Sequence, residues 1–190
     1  MPPAARRAAL VEAILPLIRR SGFEVTTRQL ATAAHVAEGT LFRAFPTKDA
    51  LIHATLAAAF DPAPVVAQLE RIDRALPLPT RLTEAAGIVQ HWLTSLIGLM
   101  TTLHMSRHSG RKPSLKRPRP LAVVGAALAV LMEPDRAQLR VPPQQVARWL
   151  QLLLFAGSHP LLTDGALLTP QEMVAAILDG ARLRSPDRET

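Results

Sequence analysis

The stretch Thr26–Lys48, TTRQLATAAHVAEGTLFRAFPTK, constrains this chain more than any other. Thr26 is a helix-capping residue, and Gln29, three positions on, completes a capping box that satisfies otherwise orphaned N–H groups. Leu30, Ala31 and Ala34 share one face at helical spacing, and the pattern fades at Ala34–His35. Val36 restarts apolar burial. Glu38 stands where the positive end of a second helix favours a carboxylate. Leu41 and Phe45, four apart, anchor that helix inward, and Pro46 ends it because proline disfavours helix in the residue before it. Thr47 can cap a third helix, with Lys48 in its first turn. The outward face of the second helix is then Glu38, Gly39, Phe42 and Arg43. Two short helices, a tight turn and an outward polar face make the helix-turn-helix pattern, whose second helix enters a DNA major groove. An ordinary three-helix packing unit has the same spacing.

Charge bears on the choice. The net charge is +7 over 190 residues. Residues 1–60 hold seven Lys/Arg against four Asp/Glu, residues 106–120 hold six against none, and the remainder is slightly acidic. A basic head suits phosphate contacts. The basic segment Ser106–Pro120, rich in Pro and Ser, reads as a solvated linker, and whether it has a partner stays open. Apolar residues make up 48% of the chain, so it is globular rather than disordered. Cysteine is absent, which excludes disulfide and thiolate chemistry and fits a reducing compartment. The N-terminus imitates a signal peptide, but Glu12 interrupts its apolar run and Arg19–Arg20 replace a cleavage site. The longest apolar run, Leu121–Met132, is shorter than the roughly 20 residues a bilayer span needs. The expectation is a cytoplasmic protein with no membrane partner.

The spacing predicts an all-α chain. A first helix covers Ala4–Arg20, with Leu10, Ala13, Ile14, Leu17 and Ile18 inward, a kink or restart at Pro16, and a left-handed cap at Gly22. The helix after Thr47 carries Leu51, Ile52, Thr55, Leu56 and Phe60 up to Pro62 and Pro64. Val65–Leu76 reads as a short helix, and Thr80 opens the longest one, to about Arg107. On it His91, Trp92, Leu96, Met100 and His104 are candidate ligand-pocket residues, although Met and Trp at helical spacing more often belong to plain core. His104 and His108 are four apart, but no glutamate or third ligand accompanies them, so no metal site is read. Leu121–Met132 reads as a helix apolar all round and hence buried. Helices from Gln144 to Ser158 and from Pro170 onward follow, the latter with Glu172 beside its N-terminus. Val146, Trp149, Leu150, Leu153 and Leu154 are too many for one inward stripe. With Met173, Val174 and Ile177 they are candidates for a two-fold interface built as a four-helix bundle.

The segment Arg6–Leu56 resembles the N-terminal domain of tetracycline-repressor-type (TetR-type) transcriptional regulators. The matching residues are Gly22–Phe23, Thr26–Thr27 with Leu30–Ala31, Val36 through Phe45, and Pro46 through Leu51. Ala37 stands where a serine is usual, Phe42 where a tyrosine often contacts phosphate, and Ala44 where a histidine is frequent. The resemblance implies a three-helix DNA-binding domain at residues 1–56 and a helical effector-binding and dimerisation domain at 57–190. It implies a homodimer on double-stranded DNA at a palindromic operator, released by a small-molecule effector. Arg28, Arg43, Lys48 and the Thr27 and Thr40 hydroxyls would contact phosphates, and Ala37, Glu38, Gly39 and Phe42 would face base edges. Glu38 could accept from a cytosine amine or serve the helix dipole; nearby phosphates repel a carboxylate, which favours the dipole. Repression is the reading taken, with activation open. No catalytic grouping or cofactor site is read. The alternative is an all-α small-molecule or lipid carrier without DNA binding.

Overall fold

The computed structural model describes residues 2–105 and 120–181, with the side chains of Phe23, Leu103–Met105 and Ala181 left aside. His108, the basic segment up to Arg119 and the polar tail from Ser185 lie outside the described residues. Among the described residues all regular structure is helical: α1 (Pro3–Ser21), α2 (Thr27–Ala33), α3 (Glu38–Ala44), α4 (Lys48–Ala59), α5 (Ala63–Leu69), α6 (Leu78–Met105), α7 (Pro120–Met132), α8 (Pro143–Gly157) and α9 (Pro170–Ala181), with 3-10 turns at Gly22–Glu24 and Glu133–Gln138. The chain divides into two compact units, a head of residues 1–61 and 95–118 and a body of residues 62–94 and 119–190.

In the head, α1 buries Leu10, Val11, Ile14 and Ile18 at helical spacing. It runs through Pro16 without restarting and ends at Gly22, whose φ of 58° and ψ of −136° suit a residue without a β-carbon. The first helix therefore carries its interior proline on an exposed face and continues past it. Leu30 and Ala31 of α2, Leu41 of α3, Phe45, and Leu51, Ile52 and Leu56 of α4 close over α1. Leu96 and Leu99 of α6 and Ala59 are buried in the same unit. The Thr102 hydroxyl of α6 donates to the Arg19 carbonyl at 3.1 Å, so the C-terminal part of α6 is tied to α1.

In the body, the core is Val65 and Leu69 of α5, Leu82 to Leu93 of α6, Val124, Leu128, Leu131 and Met132 of α7, Val146, Leu150 and Leu154 of α8, and Met173, Val174 and Leu178 of α9. Arg81 is 1% exposed and crosses this unit to pair with Asp135 while donating to the Arg74 and Leu76 carbonyls. A buried charge held this way is costly to strip of its partner.

Several boundaries differ from the sequence expectation. α5 stops at Leu69, well short of Leu76, because residues 70–77 form turns closed by Asp73, whose carboxylate accepts from the Ala75 N–H. α6 starts at Leu78 rather than Thr80, since Pro79 fits a first helical turn. α7 is not buried all round: Leu121, Val123 and Val130 are exposed opposite its core face. The apolar stretch Lys48–Leu69 has the length and hydropathy of a membrane span, but Asp61 and Pro62 break it into α4 and α5.

Candidate nucleic-acid interface

Two helices of the head, α2 and α4, start on side-chain caps. The Thr26 hydroxyl accepts from the Gln29 N–H at 3.2 Å, and the Gln29 side-chain oxygen accepts from the Thr26 N–H at 2.8 Å, a complete capping box. Thr47 accepts from the Ala50 N–H at 3.0 Å and starts α4. Between α2 and α3 the chain turns at His35, whose φ of 53° is left-handed. α3 begins without a hydroxyl cap, because Ala37 occupies that position in extended geometry and its carbonyl takes the first helical bonds.

Only Leu41 of α3 is fully buried, and Phe45 follows it into the core. The opposite face carries the exposed Ala37, Glu38, Gly39 and Arg43, and Phe42 at 37% exposure. Arg28 is exposed on α2, whereas Thr27, Thr40 and Lys48 are half-buried. The nine candidate DNA contacts thus lie on α2, α3, the turn before α3 and the start of α4.

Two of the nine are engaged with each other. The Thr27 hydroxyl donates to a Glu38 carboxylate oxygen at 3.0 Å. That hydroxyl has one proton, and a phosphate only accepts, so in this geometry Thr27 cannot also donate to a backbone phosphate. Glu38 sits in the first turn of α3, where the dipole favours it, and its bond to Thr27 ties the two helices together.

A residue that sequence spacing does not reveal closes the other end of α3. The Arg7 Nε of α1 donates to the Ala44 carbonyl at 2.9 Å, and its guanidinium lies 5.2 Å from the centre of the Phe45 ring. The two partners are far apart in sequence, so no local pattern signals the contact.

The other candidate sites come out differently. Trp92 packs against the body core, His91 is exposed, Leu96 is buried in the head, and Met100 is 40% exposed. The side chain of His104 lies outside the described residues. Of the four whose side chains are described, Trp92 lies in the body unit and Leu96 in the head unit. A depression of about 400 Å³ occurs in the head and is lined by Arg7, Ala8, Val11, Phe45, Ala50, Ala54 and Ala58, none of them a candidate ligand residue. Of the candidate interface residues, Val146, Leu150, Leu154, Met173 and Val174 are buried within the body's own core and have no surface left for a second copy. Trp149 at 38% exposure, with the half-buried Leu153 and Ile177, does. The apolar surplus on α8 lies instead at Leu152 and Phe155, exposed to 62% and 44%. Spacing shows that α8 carries more apolar residues than one stripe holds; five of the eight candidates on α8 and α9 fill the body's own core.

Residues 10–55 match the sequence model of the bacterial regulatory proteins of the tetR family. Solved structures share the fold over almost the whole chain. A TetR transcriptional regulator from Streptomyces coelicolor is 22% identical and matches 94% of this chain and 99% of its own with a TM-score of 0.59. A transcriptional regulator from Rhodococcus sp. Rha1 is 19% identical over 94% and 99%, with a TM-score of 0.63. A TetR family transcriptional regulator from Pseudomonas syringae is 23% identical over 94% and 97%, with a TM-score of 0.54. The head thus matches the tetR family's sequence model at residues 10–55, and the fold along nearly the whole chain is that of solved TetR-type regulators.

Proposed function

We propose that the protein is a homodimeric repressor that binds a palindromic duplex through α3 and is released by a small molecule held in the region 57–190, with residues 1–56 acting as the DNA-binding domain. The observation that carries this reading is the outward face of α3. Ala37, Glu38, Gly39, Phe42 and Arg43 are open on a helix whose other side is pinned by Leu41 and Phe45. Gly39 adds weight. It lies inside a helix, where glycine costs roughly 1 kcal/mol against alanine. Nothing stands within 4 Å of where its β-carbon would be. No packing inside the head requires glycine there, whereas close approach of a second molecule's backbone would.

In this reading Arg28, Arg43 and Lys48 neutralise phosphates and set register, and Thr40 adds a hydroxyl. Ala37, Gly39 and Phe42 meet base edges; Phe42, an apolar ring, suits a thymine methyl. Glu38 and Thr27 hold α2 and α3 at a fixed angle. Pairing occurs through the exposed side of α8, centred on Trp149, Leu152 and Phe155, since a contiguous apolar face marks an interaction surface. Two copies then present two α3 helices to successive major grooves about 34–36 Å apart.

Titration of a labelled duplex at several salt concentrations tests the reading. The association constant should fall linearly on logarithmic axes as salt rises, by several counterions per dimer. Absent or salt-insensitive duplex binding would leave the carrier reading in its place.

A further inference from the structure

A helix of seven residues does not hold its own pose, because isolated helices shorter than about 12–15 residues are marginal in water. The angle of α3 is therefore set by what grips it. Leu41 and Phe45 grip its underside and Thr27 grips Glu38 at its start. The grip at its end comes from outside the helix-turn-helix, from Arg7 near the start of α1. The Ala44 carbonyl is one of the groups that a helix end leaves without an intrahelical donor. It sits at the negative end of the helix dipole, where a cation is favoured. The Arg7 guanidinium supplies both the donor and the charge, and the Phe45 ring beneath it adds a cation–ring attraction. Ala8 and Val11 of α1 with Ala50, Ala54 and Ala58 of α4 leave a shallow depression around it, so no larger side chain competes for the place.

We propose that Arg7 is a positioning residue for the recognition helix, setting the angle at which α3 meets the groove without itself contacting DNA. This rests on the DNA-binding reading above. The rival role for an exposed arginine in this head is a phosphate contact, and the two leave different traces. A phosphate contact contributes to the salt slope; a positioning contact does not.

The test compares wild type, R7A and R7K in two measurements on the full chain. Amide hydrogen exchange of the free protein reads the end of α3 with no DNA present. Duplex titration across salt reads affinity and slope. R7A should speed exchange at residues 42–45 several-fold without speeding it in α8. It should weaken binding to the preferred duplex about fivefold, the equivalent of one ordinary net hydrogen bond, as suits a solvent-exposed contact, with the salt slope unchanged. R7K, whose ammonium still reaches a carbonyl but lacks the flat fork, should recover part of both effects. Unaltered exchange in R7A would overturn the proposal, and so would a salt slope shallower by about two per dimer, one for each protomer. If R7A lost its cooperative melting, R7Q, which keeps an N–H donor, would carry the same two readouts. If the wild type bound no duplex, the proposed function would fall while the exchange measurement still decided whether Arg7 positions α3.

Discussion

α3 and α8 both leave one face open, and the two faces ask for different partners. α3 exposes a carboxylate, an arginine, a glycine and one aromatic ring on a short, shallowly anchored helix. α8 is 15 residues long, is anchored by Val146, Leu150 and Leu154, and exposes Trp149, Leu152 and Phe155 in their place. A polar face that carries an arginine, with Arg28 exposed beside it on α2, matches a charged groove, whose affinity comes from phosphates. A broad apolar face matches another apolar face, whose affinity comes from water released. Exposure alone therefore does not name a partner; the chemistry of what is exposed does.

The largest test of that contrast is to make the α8 face resemble the α3 face. Charging it, as L152E with F155E, should weaken self-association by at least about 100-fold, since large apolar anchors at an interface centre carry roughly 2 kcal/mol or more each. Sedimentation should show monomers with an unchanged helical spectrum. A variant still dimeric at micromolar concentration would place the interface elsewhere.

Next in size, R43A and R28A should each weaken binding to preferred and random duplexes alike, by roughly tenfold at low salt, and flatten the salt slope by about two per dimer, one for each protomer. A loss confined to the preferred sequence would turn the residue into a base reader.

G39A sharpens the comparison by its sign. In the free protein it should raise stability by about 0.5–1 kcal/mol, because a β-carbon there meets nothing and alanine is the better helix former. Duplex affinity should fall. Gains in both quantities would mean that α3 meets no close surface at Gly39.

The smallest effect concerns pH. α2 and α9 both start on a capping box, but α2 uses Gln29 and α9 uses Glu172. The Glu172 carboxylate accepts from the Thr169 N–H and hydroxyl, both at 2.8 Å, and these bonds hold its pKa below the usual carboxylate value. A depressed folded-state pKa stabilises above the unfolded-state value and is lost as pH falls through the folded one. Acid should therefore fray the start of α9 before that of α2, which has no titrating group in its box. Hydrogen exchange followed as pH falls below the ordinary carboxylate pKa checks this, and E172Q should remove the difference.

The local features of the fold were legible in the sequence. The Thr26–Gln29 box, the Thr47 cap and the Pro46 stop each act within three or four residues, so spacing exposes them. The Thr169–Glu172 box has the same three-residue spacing, with Pro170 in the first turn it caps. What spacing could not supply was which face of α8 turns inward, because apolar periodicity reports burial without naming the burier. Nor could it supply Arg7 on Ala44 or Thr27 on Glu38, contacts made by tertiary folding between helices. The pocket candidates on α6 pose a related question, because Trp92 looks alike in sequence whether it lines a cavity or fills a core.

The central claim is that pairing through α8 aims two open α3 helices at one duplex. Selection of bound duplexes from random DNA by the wild-type protein tests it most directly. The account predicts enrichment of two inverted half-sites whose centres lie about one helical turn, 34–36 Å, or a multiple of it apart. Enrichment of a single unpaired half-site, or of no sequence at all, would contradict it.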